Sequence, residues 1–192
     1  MLVLVRHGES LANAQGVLSG WQDVPLTQRG RLQAEAAGHL LPDIHCASIW
    51  CSDLLRAKET ARIATQIWQK KTGQQPPLIK RAALRERRMG CLQGHSKKQL
   101  RKLNRLQILK TWTQAPALGE SFLQLSERVF PCLSQIPASS FVFAHGGVIR
   151  MIVGISQNKP PSEWMYWNIP NAVPISVEIP KEGWLNRLKN II

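Results

Sequence analysis

Leu2-Val3-Leu4-Val5-Arg6-His7-Gly8 and Phe141-Val142-Phe143-Ala144-His145-Gly146-Gly147 share one pattern. Each is a short continuous apolar run that ends in histidine followed at once by glycine. Such runs read as buried strands giving way to loops. Between them the chain alternates in type. Ser48 to Cys51 and Leu78-Ile79 read as further strands, and Ile175 to Ile179 as a last one. Thr27 to Leu41 reads as a helix with Leu32, Ala36, Ala37 and Leu40 on one face, stopped by Pro42. Asp53 to Lys71 reads as a helix with Leu54, Ala57, Ala61, Ala64 and Trp68 inward. Glu120 to Ile136 is helical with Pro131 inside it, and Val148 to Ile155 is an apolar helix. Ser96 to Lys110 reads as a basic helix capped by Ser96, with Leu100, Leu103 and Leu106 on one face. This alternation predicts an α/β fold: a three-layer, doubly wound, mostly parallel sheet with helices on both faces. Ligands in such sheets bind at the carboxyl ends of strands, where His7 and His145 stand.

The 192 residues suit a single domain, 1–192, with a basic helical cap over about 80–118. No apolar run reaches the ~18 residues of a membrane span. The short apolar start, with no basic segment before it, reads as cytoplasmic rather than as a secretory leader. Cys46, Cys51, Cys91 and Cys132 form no C-x-x-C pair, so reduced, mostly buried thiols are expected. The net charge is +13, and Lys80 to Lys110 holds eleven Lys or Arg against one acid, Glu86. That density attracts a polyanion: nucleic acid, an acidic membrane surface or a phosphorylated small molecule. No aromatic-rich binding motif supports nucleic acid. Trp164, Tyr166 and Trp167 read as core or rim packing. The tail from Lys181 puts Trp184, Leu185, Leu188 and Ile192 on one face and is expected to dock on the body, near the site rim. His39 and His45 have surface or core duties; His95 follows the acidic segment closely enough to approach substrate.

Two strand-end histidines among arginines suggest phosphoryl chemistry. A neutral imidazole can attack phosphorus and form a phosphohistidine. Arg6 and Arg56 suit bidentate phosphate contacts. A second imidazolium and loop amides would share the transition-state charge. A leaving alkoxide needs a proton, and Glu86 is the natural donor.

On these residues the chain resembles the phosphoglycerate mutase-like histidine phosphatase superfamily, in its branch of cofactor-dependent mutases and histidine acid phosphatases. Leu4 to Ser10 with Asn13 is similar to the family's opening motif, with its Arg-His-Gly triplet at Arg6-His7-Gly8. Leu18 to Asp23, Pro25-Leu26-Thr27 and Gly30 resemble the next loop and helix start. Cys51 to Ala57 with Thr60, Leu84-Arg85-Glu86 with Gly90 and Gln93-Gly94, Gly119-Glu120-Ser121 with Arg128-Val129, and Ala144 to Gly147 with Arg150 resemble the remaining motifs. The resemblance implies that His7 is the phosphorylated nucleophile. It puts Arg6, Arg56 and His145 in the phosphate pocket with Asn13 and the Gly146 amide, and makes Glu86 the proton donor and later the base. Ser19, Gly20, Arg87 and Lys97 would face the substrate. No metal is implied.

Mutase and phosphatase features are mixed. Glu86-Arg87 with Gly90 to Gly94, Lys97, and Ile169 to Pro174 resemble the mutases. Arg88-Met89 replaces their His-Tyr, and Thr111 to Leu118 is shorter and lacks their Arg-Arg pair. The expected function is therefore hydrolysis of a small phosphate monoester through a phosphohistidine on His7. The alternatives are a short cofactor-dependent phosphoglycerate mutase, primed by 2,3-bisphosphoglycerate, and a non-catalytic polyanion-binding protein. The basic segment, through Lys97, Lys98, Arg101, Lys102 and Arg105, would then draw in a multiply charged substrate. The sequence does not set the oligomeric state.

Overall fold

The computed structural model of the chain describes residues 1–191. In chain order its elements are β1 (Leu2–Arg6), α1 (Leu11–Ala14), α2 (Gln28–Leu40), β2 (Ile49–Ser52), α3 (Leu55–Thr72), β3 (Leu78–Arg81), α4 (Lys97–Lys102), α5 (Phe122–Leu133), β4 (Ser140–Ala144), α6 (Gly146–Ser156), α7 (Pro161–Trp164), β5 (Pro174–Val177) and α8 (Trp184–Ile191). The five strands form one sheet in the order β3-β2-β4-β1-β5. All neighbours are parallel except β1 and β5. The sheet is mixed, as a mostly parallel reading expects.

Both faces of the sheet are covered, which is why its central strands read as unbroken apolar runs. Leu2, Leu4, Val142 and Ala144 pack with α5, α6 and α8. Val3, Val5, Phe141 and Phe143 turn to α2 and α3, where Trp68 meets Phe141 edge-on at 5.0 Å. Period-two alternation thus sorts each strand between two cores.

Several expectations need correction. On α2 the buried residues are Gly30, Ala34, Ala37 and Gly38, while Leu32 and Leu40 are 58% and 62% exposed. The reason is close helix packing: a Cβ on Gly38 would strike the Ala64 carbonyl of α3. Small residues, not leucines, make that face. The basic helix is also shorter than expected. α4 ends at Lys102; Asn104 adopts φ 52°, and the Arg105 N–H bonds back to the Leu100 carbonyl at 2.9 Å. With Asn104 N–H on Arg101 O, this is a Schellman stop built on a left-handed Asn. Leu103 is 66% exposed in consequence. Lys80 and Arg81 lie in β3, so the segment over the site starts after the sheet edge. The tail forms α8 and docks through Trp184 and Leu188 on the core beside Phe130; Leu185 faces outward and the pocket rim is made by other elements. Ile192 lies outside the described residues. Pro131 is accommodated inside α5, which ends two residues later. The four cysteines are free thiols, three of them buried.

Candidate active site

β1 and β4 are parallel neighbours, with Arg6 opposite Ala144. Their ends therefore deliver His7 and His145 side by side, ring centroids 5.2 Å apart. His7 is fixed from several directions. Its N–H donates to Ala144 O, and its carbonyl accepts from Asn171 Nδ2 at 2.7 Å. The next amide, Gly8, donates to Thr60 Oγ1. Gly8 must be glycine, because a Cβ there would overlap the Gly30 carbonyl.

The His7 ring has a defined tautomer. Nδ1 lies 2.7 Å from the Gly8 carbonyl, which can only accept, so Nδ1 carries the proton. Nε2 keeps its lone pair, and Arg56 Nε donates to it at 3.3 Å. Burial, Arg56 and Arg6 hold the His7 pKa well below its usual 6.5. His145 is equally buried, and burial with Arg56 lowers its pKa in the same way. Burial thus favours the neutral ring in the free protein, and the imidazolium expected from the sequence needs the charge of a bound phosphate beside it. Ser52 Oγ lies 2.8 Å from His145 Nε2 and accepts from the Leu54 amide. Its hydroxyl can donate to Nε2, an arrangement that leaves the ring proton on Nδ1. That Nδ1 is buried without a hydrogen-bond partner among the described residues, as is Arg6 Nε. Two unpartnered nitrogens at neighbouring strand ends suit a doubly charged oxyanion.

Arg56, the second residue of α3, is fully buried and spans the site. Nη2 donates to Gly20 O at 2.8 Å and Nη1 to Gln22 O at 2.9 Å. Burial lowers its pKa to about 10, so it stays charged near neutrality. Arg6 is tethered by Nη1 to the Ile169 carbonyl at 2.5 Å. Glu86 reaches the pocket from the other side. Its Oε1 accepts from the Arg87 amide at 2.8 Å and its Oε2 from the Gly147 amide at 3.1 Å. The Gly147 amide is therefore engaged, while Gly146, the first residue of α6, lines the pocket. The α6 N-terminus adds its positive dipole end to this floor.

A cavity of about 360 Å³ contains Arg6, His7, Asn13, Ser19, Gly20, Arg56, Glu86, Arg87, Lys97 and Gly146 in its wall. The fold thus brings together the residues that the family motifs place at the site; His145 lies outside the wall, buried against His7. Asn13 also closes the α1 capping box, accepting from Ser10 N–H through Oδ1. Arg87 is only 3% exposed; it stacks on Phe122 at 4.2 Å and donates to Leu109 O, leaving Nη1 without a partner. Burial lowers its pKa to about 10 and also lowers that of Lys97. Of the other expected basic residues, Lys98, Arg101, Lys102 and Arg105 lie outside the cavity wall, as does His95.

Sequence reasoning assigned no role in the site to Arg150 or Lys110 and read Tyr166 as core or rim packing; all three line the cavity. Arg150 lies one helical turn after Gly146 and donates to its carbonyl, a periodicity that was readable. Lys110 and Tyr166 meet across the mouth from distant segments, and nothing in the sequence links them. No group of three or more His, Cys, Asp or Glu among the described residues could hold a metal ion. No helix among them is long and apolar enough to cross a membrane.

The chain is similar to the 2,3-bisphosphoglycerate-dependent phosphoglycerate mutase 2 of Gloeobacter violaceus, with 31% identity over 98% of this chain and 90% of that protein. It is similar to the 2,3-bisphosphoglycerate-dependent phosphoglycerate mutase of Chlamydia trachomatis serovar L2b, with 29% identity over 93% of each. Among solved structures, it resembles a mycobacterial glucosyl-3-phosphoglycerate phosphatase in complex with VO3, at TM-score 0.76 and 28% identity, over 89% of this chain and 87% of that one. The sequence profile of the histidine phosphatase superfamily (branch 1) matches residues 2–192. With two histidines, the half-buried Arg6, the buried Arg56 and a carboxylate converging at the strand ends, the chain belongs to the histidine phosphatase superfamily.

Proposed function

We propose that this protein hydrolyses a small phosphate monoester through a phosphohistidine on His7, in a single domain whose basic segment caps the site. The observation that carries this reading is the His7 ring itself. Its Nδ1 proton is committed to Gly8 O, so the unprotonated nitrogen is Nε2, held only by a long hydrogen bond from Arg56 Nε at 3.3 Å.

The steps balance as follows. The Nε2 lone pair attacks phosphorus, an N–P bond forms and the ester P–O bond breaks. The leaving oxygen takes a proton from the Glu86 carboxyl. The departed alcohol makes room for water, which attacks phosphorus and gives a proton to the Glu86 carboxylate. The N–P bond breaks, its electron pair returns to Nε2, and inorganic phosphate leaves. Arg6, Arg56, the His145 Nδ1–H and the Gly146 amide stabilise charge on the equatorial oxygens, with Asn13 beside them. Ser19, Gly20, Arg87 and Lys97 hold the remainder of the substrate. No metal or organic cofactor takes part.

A second reading, a phosphoglycerate mutase primed by 2,3-bisphosphoglycerate, is favoured by the names of the relatives and by Arg87 and Lys97 in the wall. Phosphorus NMR separates the two. The protein and a His7→Ala variant are incubated with phenyl phosphate, and separately with 3-phosphoglycerate plus a trace of 2,3-bisphosphoglycerate. Inorganic phosphate that is lost in the variant is the expected result. Growth of 2-phosphoglycerate would make the protein a mutase. Unchanged spectra in both would favour the non-catalytic polyanion-binding alternative.

A further inference from the structure

Beyond the phosphate-binding floor, the cavity wall changes character. Met89, Leu106 and Leu109 enter from the cap, Phe122 from the start of α5, and Met165 and Tyr166 from the turn after α7. Three separate segments thus present apolar groups to one space. Phe122 and Met165 are nearly fully buried, but Met89, Leu106 and Leu109 are only half-buried, at the edge of the small cap core formed by Leu18, Leu92 and Leu100. Their open sides face the cavity. Tyr166 is 60% exposed at its mouth, with the Lys110 ammonium 5.5 Å from the ring centre. A scattered surface aromatic needs no explanation. One continuous with a half-buried apolar wall, above a phosphate site, marks where a ligand body lies.

We infer, building on the phosphatase reading, that the substrate is a phosphate monoester whose body is aromatic. Two features support this class. First, a cavity of about 360 Å³ is at the scale of drug-sized ligands and exceeds what a three-carbon phosphate fills. A phosphorylated hydroxy acid would leave the wall wet and supply no apolar surface to cover it. Second, the wall is built of rings and thioethers rather than branched aliphatic groups alone. Tyr166 offers an exposed ring, Phe122 an apolar contact, and Met89 and Met165 sulfur–ring contacts. Of the cations that face the substrate body, Arg87 and Lys110 each lie against a ring, so they flank an apolar slot instead of opening it to water.

The test compares esters with matched leaving groups, so that chemistry at phosphorus is held constant. 2-Phenylethyl phosphate, ethyl phosphate and 3-phosphoglycerate are assayed by phosphate release with the wild-type protein, with His7→Ala as the control, and with Tyr166→Ala and Leu109→Gln. Burial of a ring predicts that kcat/KM for the phenylethyl ester exceeds that for the ethyl ester by about tenfold or more. Tyr166→Ala, a change at an exposed side chain that does not threaten the fold, should bring that ratio several-fold closer to one. Leu109→Gln, which keeps the carbonyl bound by Arg87, should do the same. His7-dependent hydrolysis of all three esters at similar kcat/KM would overturn the aromatic inference and leave the phosphatase reading intact. Absence of His7-dependent hydrolysis of every ester would overturn both.

Discussion

Glu86 and Gly147 are coupled through one hydrogen bond, and each makes a sharp test of the other. A Cβ on Gly147 would overlap the Glu86 carboxylate, so Gly147→Ala must displace that group. The collision is with the end of a flexible side chain, so the fold should survive while proton transfer suffers. Gly147→Ala is expected to lower kcat by about 100-fold, with thermal stability little changed. Glu86→Gln removes the proton altogether, and kcat on an alkyl phosphate should fall by ~10²–10⁴. On p-nitrophenyl phosphate the leaving group needs little help, so rapid mixing should still show a burst of nitrophenolate before turnover stops. Loss of the burst as well would place Glu86 in binding rather than in proton transfer. The two buried histidines make a separate prediction about pH. Their folded pKa values are depressed below 6.5, so the unfolded chain binds protons that the folded one refuses. Stability is therefore lost as pH falls below about 6.5, by up to ~1.4 kcal/mol per pH unit for each histidine. The lowered carboxyls of Asp53 and Glu120 act only below about pH 4.5, outside this window. Urea midpoints at pH 7.5 and 5.5 check it: the midpoint should drop at 5.5. An unchanged midpoint would mean that the histidines are not held neutral.

At the scale of elements, the loop from Val17 to Asp23 ties the two halves of the site together. Its Gly20 and Gln22 carbonyls accept from Arg56, while Trp21 Nε1 donates to the Glu86 carbonyl at 2.7 Å. Arg128 donates to the same carbonyl, and Arg85, Arg88 and Arg128 all lie over the Trp21 ring. Trp21 is thus a positioning residue for Glu86. Trp21→Phe keeps the ring and removes the N–H. It should reduce kcat about tenfold on an alkyl phosphate while KM moves less than twofold. An equal rise in KM with unchanged kcat would assign Trp21 to substrate binding. The same elements show what a sequence discloses. Strand runs ending in His7 and His145 were legible because burial on both faces makes a run continuous, and a histidine at its end is conspicuous. The Leu54, Ala57, Ala61, Ala64 and Trp68 face of α3 was legible because its pattern is strongly periodic. The face of α2 was misread because hydrophobicity marks leucines, whereas close helix contact selects Gly and Ala. The cap helix was overextended because the Leu103-Asn104 stop depends on one left-handed residue, a local signal that the charge pattern masked. Arg128 and Trp21 acquire their roles only through contacts between distant segments, which no local pattern encodes.

The whole molecule carries a charge distribution that its fold does not need. From Arg87 to Gly119 there are eight Lys or Arg and no acid. No cation of this stretch takes part in an ion pair among the described residues. Arg87 and Lys97 reach the cavity, and Lys110 stands at its mouth. Lys98, Arg101, Lys102 and Arg105 are exposed outside it, and so act at a distance. Their field should concentrate an anionic ester near the opening and raise its rate of capture. Salt screens exposed charges over ~8 Å at physiological strength, so this contribution should fade as salt is added. KM for a phosphate ester is therefore expected to rise several-fold between low salt and ~0.5 M sodium chloride, with kcat nearly constant, because the half-buried Arg6 and the buried Arg56 are screened far less. A Lys98→Gln, Arg101→Gln, Lys102→Gln triple variant separates steering from simple ionic competition for the site. It should show a higher KM at low salt, the wild-type KM at high salt and a flatter dependence between them. If the triple variant keeps the wild-type salt profile, the exposed cations do not steer substrate, and the salt effect resides in the cavity itself.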